Sequence, residues 1–306
     1  MPSIATLTLI AATTAPYALA QLSSSKRGLC YVSSSDASTD DKIWDTGDSD
    51  LTWYYNYQAT PTSGYAGSDL QFVPMMWGAP TSDQDMTFYN TVKGLIDGGA
   101  KIPYVLSFNE PDGCSSGGSC VDAETAANTW MREIEPLKKM GVKLGAPAVT
   151  GAPAGFTWLQ SFFTACAGQC SADFIPVHWY GNFEGFASHV GQVNGTYSNM
   201  TMWVTEYAYA DAKLDDSQDF YNQSASFMDR IDYITHYSYF GAFRSDTSNV
   251  GADAAMLTQK GKLTDIGAWY LGQKATGNVP KGGAAQAAKF AGWAVVVVAA
   301  AFWTMA

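Results

Sequence analysis

The chain has 306 residues, and its 17 Lys and Arg against 28 Asp and Glu give a formal net charge of -11. Basic residues are scarce and scattered, which argues against a nucleic-acid partner because no basic patch is available for phosphate groups. The five cysteines and three histidines show no metal-site spacing, so we expect neither a metal nor a cofactor. Aromatic residues make up 14% of the chain, and flat rings suit neutral ligands such as sugars, although most single rings are explained equally well as core residues.

The first apolar segment, residues 4–20, predicts a signal peptide. It ends in Ala18-Leu19-Ala20, a small-x-small pattern typical of a cleavage site. Cleavage leaves residues 21–27 as a short propeptide or linker, in which Lys26-Arg27 is either a second processing site or a solvated turn. These features predict a secreted protein.

Between residues 28 and 277, short apolar runs alternate with helix-length segments, which predicts a parallel sheet built from strand and helix units. The eight candidate strands are 29–32, 52–57, 70–77, 102–109, 143–149, 174–180, 202–206 and 237–243. The clearest candidate helices are 84–97, 123–140, 156–165 and 216–235, the second with Asp122 as N-cap and Gly141 as C-cap. Eight units in about 250 residues predict one α/β domain, a (β/α)8 TIM barrel.

Four of the five cysteines form two close pairs along the chain. Cys114 with Cys120 and Cys166 with Cys170 are near enough in sequence for disulfides that each close a short loop. The fifth, Cys30, lies in an apolar run where a buried thiol is expected.

The C-terminal segments predict attachment to an outer cell surface. Residues 290–306 are apolar and uncharged, and the preceding segment 278–289 reads as a linker with a probable GPI attachment region, best at Gly282. A simple C-terminal membrane anchor is the alternative, and no other membrane contact is expected. Three sequons, each either an N-glycan site or a chance occurrence, agree with secretion, and they lie at Asn194, Asn199 and Asn222.

Two carboxylates end predicted strands. The fourth strand runs into Asn109-Glu110-Pro111, and the seventh ends in Glu206-Tyr207. In a (β/α)8 barrel the active site lies at the C-terminal strand ends, and a charge there is costly unless it is used or paired. Glu110 and Glu206 are therefore the candidate catalytic residues. His178 and Tyr180, two apart on the sixth strand, point the same way and are candidates to orient the nucleophile or the substrate.

Five ordered segments carry a resemblance to a known family, and they are 53–57, 72–78, 107–111, 177–181 and 203–207. They resemble glycoside hydrolase family 128, fungal-type endo-β-1,3-glucanases of clan A, which places its carboxylates on strands four and seven. The resemblance runs from about residue 28 to about residue 273, nearly the whole domain.

The resemblance implies a retaining double displacement with Glu206 as nucleophile and Glu110 as acid/base, initially protonated. It also implies that Asn109 binds the sugar hydroxyl next to the anomeric carbon, unless this residue only ends the strand. Other candidates for substrate binding are Trp77 as the main sugar platform, Trp179 and Tyr207, with barrel packing as the alternative for these three. His178, unless it is a core histidine, and Tyr180, Tyr54 and Asn56 complete the candidates.

The expected function is endo-acting hydrolysis of cell-wall β-glucan by a monomer. A glucan-remodelling transglycosylase shares the covalent intermediate and remains an alternative. A non-catalytic glucan-binding protein is a third possibility, because a fold alone does not guarantee activity.

Overall fold

The computed structural model describes residues 23–114 and 117–281, which form a mixed α/β fold. The strands are β1 (Arg27–Cys30), β2 (Trp53–Tyr55), β3 (Gln71–Phe72), β4 (Tyr104–Val105), β5 (Lys143–Leu144), β6 (Phe174–Tyr180), β7 (Thr201–Ala208) and β8 (Ile234–Tyr239). The α-helices are α1 (Ala37–Trp44), α2 (Thr87–Asp97), α3 (Ala123–Thr129), α4 (Pro153–Ala165), α5 (Phe183–Thr196), α6 (Leu214–Arg230) and α7 (Asp265–Tyr270). The predicted signal peptide, Gly282 and the apolar segment 290–306 lie outside the described residues.

All pairings between these strands are parallel, and every predicted strand overlaps an observed one. Six strands form a sheet in the order β3-β2-β1-β8-β7-β6, and β4 pairs with β5 in a second sheet. Two single parallel bridges, Met75 to Leu106 and Gly145 to Phe174, connect the second sheet to both edges of the first. The strand prediction is therefore confirmed, although the regular pairing is divided between two sheets.

The helix predicted for residues 123–140 is interrupted. α3 ends at Thr129. The chain continues as a π-helical turn over Trp130–Ile134 and then as a 3₁₀ helix over Glu135–Met140. Pro136 explains the break, because proline lacks the N–H of a helical hydrogen bond and its ring crowds the preceding turn. Both predicted caps are confirmed by Asp122, whose Oδ1 accepts the Thr125 N–H at 2.9 Å, and by Gly141, whose φ is 83°.

Aromatic rings from strands of both sheets meet in one cluster below the site. The Trp203 ring stacks on His236 at 3.7 Å and on Phe174 at 4.3 Å between centroids. Trp53 and Tyr104 each lie 4.9 Å from the same ring. This cluster shows which face of each strand points inward. The C-terminal ends of the strands, beyond the cluster, hold the residues of the candidate site.

Residues near both ends of the domain belong to the fold. Arg27, 2% exposed, lies in β1 rather than in a linker, and its Nη1 donates to Asp50 Oδ2 at 2.8 Å. The Lys26 ammonium, in the turn just before β1, donates to backbone carbonyls at the end of α6. At the other end, Ser245 Oγ donates to the Lys281 carbonyl at 2.7 Å. Within residues 23–114 and 117–281, no helix is both long and apolar enough to span a membrane.

Both predicted disulfides are present, joining Cys114 to Cys120 and Cys166 to Cys170. Cys30 is buried at 1% exposure, as its apolar surroundings in the sequence predict.

Candidate active site

Glu110 follows the extension of β4 and has an unusual backbone. Its φ is 41°, a left-handed conformation that is uncommon for residues other than glycine, and its N–H donates to the Ala148 carbonyl at 2.7 Å. The Glu110 carbonyl accepts the Gly113 N–H at 2.9 Å, and the Cys114–Cys120 disulfide closes the loop that follows. Strained conformations of this kind persist only where the surroundings impose them, and they gather at functional sites.

Glu206 reaches the site through an irregularity in β7. Val204 pairs with Val177 of β6, but the next residue of β6, His178, pairs with Glu206, so Thr205 is an extra residue in the strand. Because side chains alternate along a strand, an inward Trp203 would otherwise direct Glu206 outward. The extra residue reverses the alternation, as a β-bulge does, and turns Glu206 inward.

The bulge is held from inside the strands. The Thr205 carbonyl accepts the Tyr55 hydroxyl at 2.9 Å and the Ser238 hydroxyl at 2.5 Å. All three residues are 1% exposed or less. The backbone just before Glu206 is therefore fixed by two buried hydrogen bonds from β2 and β8.

Two tyrosine hydroxyls bind the Glu206 carboxylate. Tyr57 donates to Oε1 at 2.7 Å, and Tyr180 donates to Oε2 at 2.5 Å. Burial raises the pKa of both phenols well above their ordinary value, and the charge of Glu206 raises it further, so both hydroxyls remain donors. Each carboxylate oxygen is thus oriented by one hydroxyl.

His178 connects the two glutamates. Its Nδ1 lies 3.0 Å from Glu110 Oε1 and 3.5 Å from Glu206 Oε2, and its side chain is 1% exposed. One ligating atom from each of the three residues lies within 4.8 Å of the others. The carboxylates of Glu110 and Glu206 are 12% and 6% exposed, so the group is largely shielded from solvent.

The pKa values of Glu206 and His178 are shifted both by burial and by the charges of their neighbours. Burial raises the pKa of Glu206, and the charge of Glu110 adds to the rise, which His178 and the tyrosine hydroxyls reduce but do not cancel. Burial lowers the pKa of His178, but the charges of Glu206 and Glu110 outweigh it and raise that pKa above its ordinary value. The buried charge of each of these two groups therefore depends on the other.

The same three residues are the one cluster among the described residues with the spacing for a metal ion. Both oxygens of Glu206 already accept tyrosine hydroxyls, and Nδ1 of His178 lies against Glu110. A metal would have to displace these bonds, and the hydroxyl donors suit a carboxylate that reacts directly.

Four of the predicted substrate-binding residues lie at or beside this group. His178 and Tyr180 contact the glutamates directly, as their shared face predicts. Asn109 is 4% exposed, donates through Nδ2 to the Gly117 carbonyl at 2.8 Å, and has no partner for Oδ1 among the described residues. The Trp77 carbonyl accepts the Asn109 N–H at 2.9 Å, and the Trp77 side chain is 42% exposed.

The other four predicted residues are not brought to the site. Tyr54 is 2% exposed and packs against Tyr65 and Phe72, on the outward face of β2. Asn56 uses its side-chain amide to bind the Thr60 carbonyl and the Thr62 hydroxyl, which stabilises its own loop.

The side chains of Trp179 and Tyr207 point away from the site because side chains alternate between the two faces of a strand. The Trp179 ring lies 5.3 Å from that of His189, and its indole N–H donates to the Asn182 carbonyl. Tyr207 is fully buried among aromatic rings, because the bulge that turns Glu206 inward turns its neighbour outward.

Tyr57 contacts Glu206 and is the one such residue that sequence reasoning did not single out. It lies two residues beyond Tyr55, the last residue of β2, and its φ of 60° is left-handed. The two-residue spacing of Trp53, Tyr55 and Tyr57 indicates that their side chains share one face. The sequence does not show that this face points inward, because that depends on packing against the aromatic cluster around Trp203.

One curated protein resembles this chain over most of its length. The chain is 29% identical over 257 residues to Alkali-sensitive linkage protein 1 of Schizosaccharomyces pombe, covering 81% of this chain and 44% of that protein. The chain thus spans less than half of that relative.

Two solved structures of family 128 are similar over the whole fold. One is a curdlan-specific exo-β-1,3-glucanase from Blastomyces gilchristii in complex with glucose, with 28% identity, a TM-score of 0.65, and coverage of 81% of this chain and 98% of that chain. The other is an endo-β-1,3-glucanase from Amycolatopsis mediterranei in complex with laminaritriose, with 27% identity, a TM-score of 0.62, and coverage of 80% and 98%.

The family model described as "Glycosyl hydrolase catalytic core" matches residues 28–270, which include both glutamates and every residue that contacts them. The chain therefore belongs to the glycosyl hydrolase catalytic core family and is a glycoside hydrolase similar to the β-1,3-glucanases of family 128.

Proposed function

We propose that this protein is a retaining endo-β-1,3-glucanase in which Glu206 is the nucleophile and Glu110 the acid/base. The observation that carries the proposal is the approach of the two glutamates, whose nearest ligating oxygens lie within 4.8 Å. Retaining glycosidases hold their carboxyl groups about 5 to 5.5 Å apart, whereas inverting enzymes leave about 6.5 to 9.5 Å for a water molecule. The shorter spacing supports direct attack by one carboxylate.

The surroundings of the two glutamates support this division of roles. Glu206 accepts two hydroxyl hydrogen bonds, which favour the ionised form that a nucleophile needs. Glu110 contacts His178 and is more exposed, as suits a residue that must meet both a leaving group and water.

The reaction proceeds in two balanced steps. An oxygen of Glu206 bonds to the anomeric carbon while the glycosidic bond breaks, and the leaving oxygen takes the proton of Glu110. Glu110, now ionised, removes a proton from water as the water oxygen bonds to the same carbon and the bond to Glu206 breaks. His178, hydrogen-bonded to Glu110 and 3.5 Å from Glu206, lies between the two carboxylates and supports their orientation.

The substrate follows from the similar structures and from the site itself. Their proteins act on β-1,3-glucans, which supports cell-wall β-glucan as the substrate here. The exposed ring of Trp77, whose backbone carbonyl is hydrogen-bonded to Asn109, supports a role in stacking on a sugar, and the unpartnered, buried Oδ1 of Asn109 supports a role as an acceptor for a sugar hydroxyl. Because the two similar enzymes differ in exo and endo action, the endo assignment comes from the sequence resemblance.

We also infer that the eight strands form one (β/α)8 barrel. The two single bridges join β4 to the extension of β3 and β5 to the start of β6, which completes a ring of parallel neighbours. Rings from β2, β4, β6, β7 and β8 fill a common interior, and the glutamates lie above it at the C-terminal strand ends. This is the arrangement by which such barrels place active sites.

The cellular location is a proposal from the sequence ends. A signal peptide at residues 1–20 and a lipid anchor at Gly282 would place a monomeric enzyme at the cell surface, next to wall glucan. Among the sequons, Asn199 is exposed in the loop between α5 and β7 and is the most accessible for a glycan. Asn194 and Asn222 lie on helices and are half-buried.

The test is hydrolysis by the protein purified from a secreting host. Laminarin, curdlan, cellulose and xylan are incubated separately, and we expect reducing ends from the first two, with internal cleavage of laminarin. Glu110→Gln and Glu206→Gln keep the size of each side chain and should abolish activity. Proton NMR should detect the β-anomer first.

Several outcomes would contradict the proposal. Full activity of either glutamine variant removes that glutamate from the mechanism, and a first-formed α-anomer removes the covalent intermediate. Elongated oligosaccharides at high substrate concentration would favour a transglycosylase that uses the same intermediate.

A further inference from the structure

The thiol of Cys30 lies behind one of the two hydroxyls that bind Glu206. Cys30 ends β1 on the inward face, is 1% exposed, and takes part in neither disulfide. Its Sγ lies 2.9 Å from the hydroxyl oxygen of Tyr57, which in turn lies 2.7 Å from Glu206 Oε1. The three groups form a continuous chain from β1 to the candidate nucleophile.

The direction of the hydrogen bonds in this chain is fixed by chemistry. An ionised carboxylate only accepts, so the single proton of Tyr57 is donated to Glu206. The oxygen of Tyr57 must then accept from Cys30, which makes the thiol the donor. Tyr55 is only a weaker second donor to Tyr57, because its hydroxyl is 3.4 Å away and donates to the Thr205 carbonyl at the shorter distance of 2.9 Å.

The thiol keeps the proton that this role requires. Burial raises the pKa of the Cys30 thiol, and the nearby charge of Glu206 raises it further. A protonated donor behind Tyr57 polarises the phenol and strengthens the bond that the phenol donates, as happens along chains of hydrogen bonds.

We propose that Cys30 is a positioning residue for hydrolysis, which orients the Tyr57 hydroxyl toward Glu206 and so helps to keep the nucleophile ionised. The proposal rests on the function proposed above, in which Glu206 is the nucleophile. Cys30 itself does not touch the carboxylate or the substrate; it acts through Tyr57.

The expected effect is on the pH dependence of activity. The titratable groups around Glu206 lie at or just beyond the ends of β2, β4 and β6, with Cys30 of β1 behind them, and they are Tyr55, Tyr57, Glu110, His178 and Tyr180. The hydrogen bond from Tyr57 stabilises the ionised form of Glu206, and removing the thiol weakens that bond. The pKa of Glu206 therefore rises, and the acidic limb of the kcat/KM profile moves to higher pH.

The experiment measures kcat/KM on laminarin against pH for the full chain. We expect Cys30→Ala to lose about twofold to fivefold activity on the acidic limb, a displacement of about 0.3 to 0.7 pH units, with KM unchanged. Cys30→Ser restores a donor of similar size and should recover most of the displacement. Val92→Ala, a fully buried truncation in α2, controls for lost packing and should not move the limb.

A second pair of variants tests the route through Tyr57. Tyr57→Phe removes the hydroxyl, so adding Cys30→Ala to it should produce no further displacement, and the two changes should be non-additive. An unmoved limb in Cys30→Ala, or equal displacement with and without the Tyr57 hydroxyl, would overturn the proposal. If Glu206→Gln instead kept full activity, the proposed function would fail on its own account.

Discussion

The hydroxyl of Tyr180 should have a measurable effect on the acid sensitivity of the enzyme. Tyr180 donates to Glu206 Oε2 at 2.5 Å, and its ring packs edge-on against Phe240, a contact that Tyr180→Phe preserves. The hydrogen bond favours ionised Glu206, so its loss raises the pKa of Glu206. A bond to a charged group contributes about 1.5 to 3 kcal/mol. At about 1.36 kcal/mol per pKa unit, the acidic limb should move up by about one to two pH units.

The assay is the pH profile of kcat/KM on laminarin, with folding checked by thermal denaturation. Because the pKa of Glu206 already lies above its ordinary value, the wild-type limb should itself lie above about pH 4.3. Tyr207→Phe is the matched control, since the Tyr207 hydroxyl is buried and has no partner among the described residues. A Tyr180→Phe profile that overlays the wild type, or an equal displacement in Tyr207→Phe, would refute the reasoning.

Three further predictions concern the platform and the core. Trp77→Ala should weaken substrate binding by about 0.5 to 1.5 kcal/mol, seen as a higher KM with an unchanged melting temperature, because the ring is 42% exposed. Arg27→Met removes the 2.8 Å partner of the partly buried Asp50 carboxylate and should lower the free energy of unfolding in urea by about 1 to 3 kcal/mol. Gly28→Ala would place a Cβ 2.1 Å from the Trp53 ring and should destabilise by about 1 to 3 kcal/mol or more, whereas Gly94→Ala, with open space in α2, should stabilise by about 0.5 to 1 kcal/mol in the same assay. An unchanged KM would contradict the prediction for Trp77→Ala, and an unchanged urea midpoint would contradict the prediction for Arg27→Met. Equal stability of Gly28→Ala and Gly94→Ala would contradict the third prediction.

The sequence carried the strands and the two glutamates because both depend on local signals. Apolar runs with helix-length spacing located all eight strands, and Asn109-Glu110-Pro111 marked where one of them stops. His178 and Tyr180 were correctly placed on one face, because β6 is regular between them. Whether the glutamates act as assigned stays a prediction until activity is measured.

The residues that sequence reasoning misplaced depend on contacts that are distant along the chain. The extra residue Thr205 reverses the alternation in β7 and moves Tyr207 away from the site, and the bulge is held by hydroxyls from β2 and β8. The inward face of β2 is set by packing of Trp53 on Trp203, so Tyr54 points outward, and Tyr57, two residues beyond the strand, reaches Glu206. No local pattern identifies a bulge or a choice of face that such contacts decide.

The central claim is that Glu206 forms a covalent glycosyl-enzyme intermediate. The most direct measurement uses a fluorosugar β-1,3-glucoside with a good leaving group, which slows the second step, followed by mass spectrometry of the intact protein and its peptides. The account predicts one added glycosyl unit on the peptide that contains Glu206, and no labelling of Glu206→Gln. Label on Glu110, or turnover of the reagent with no adduct and a first-formed α-product, would contradict it.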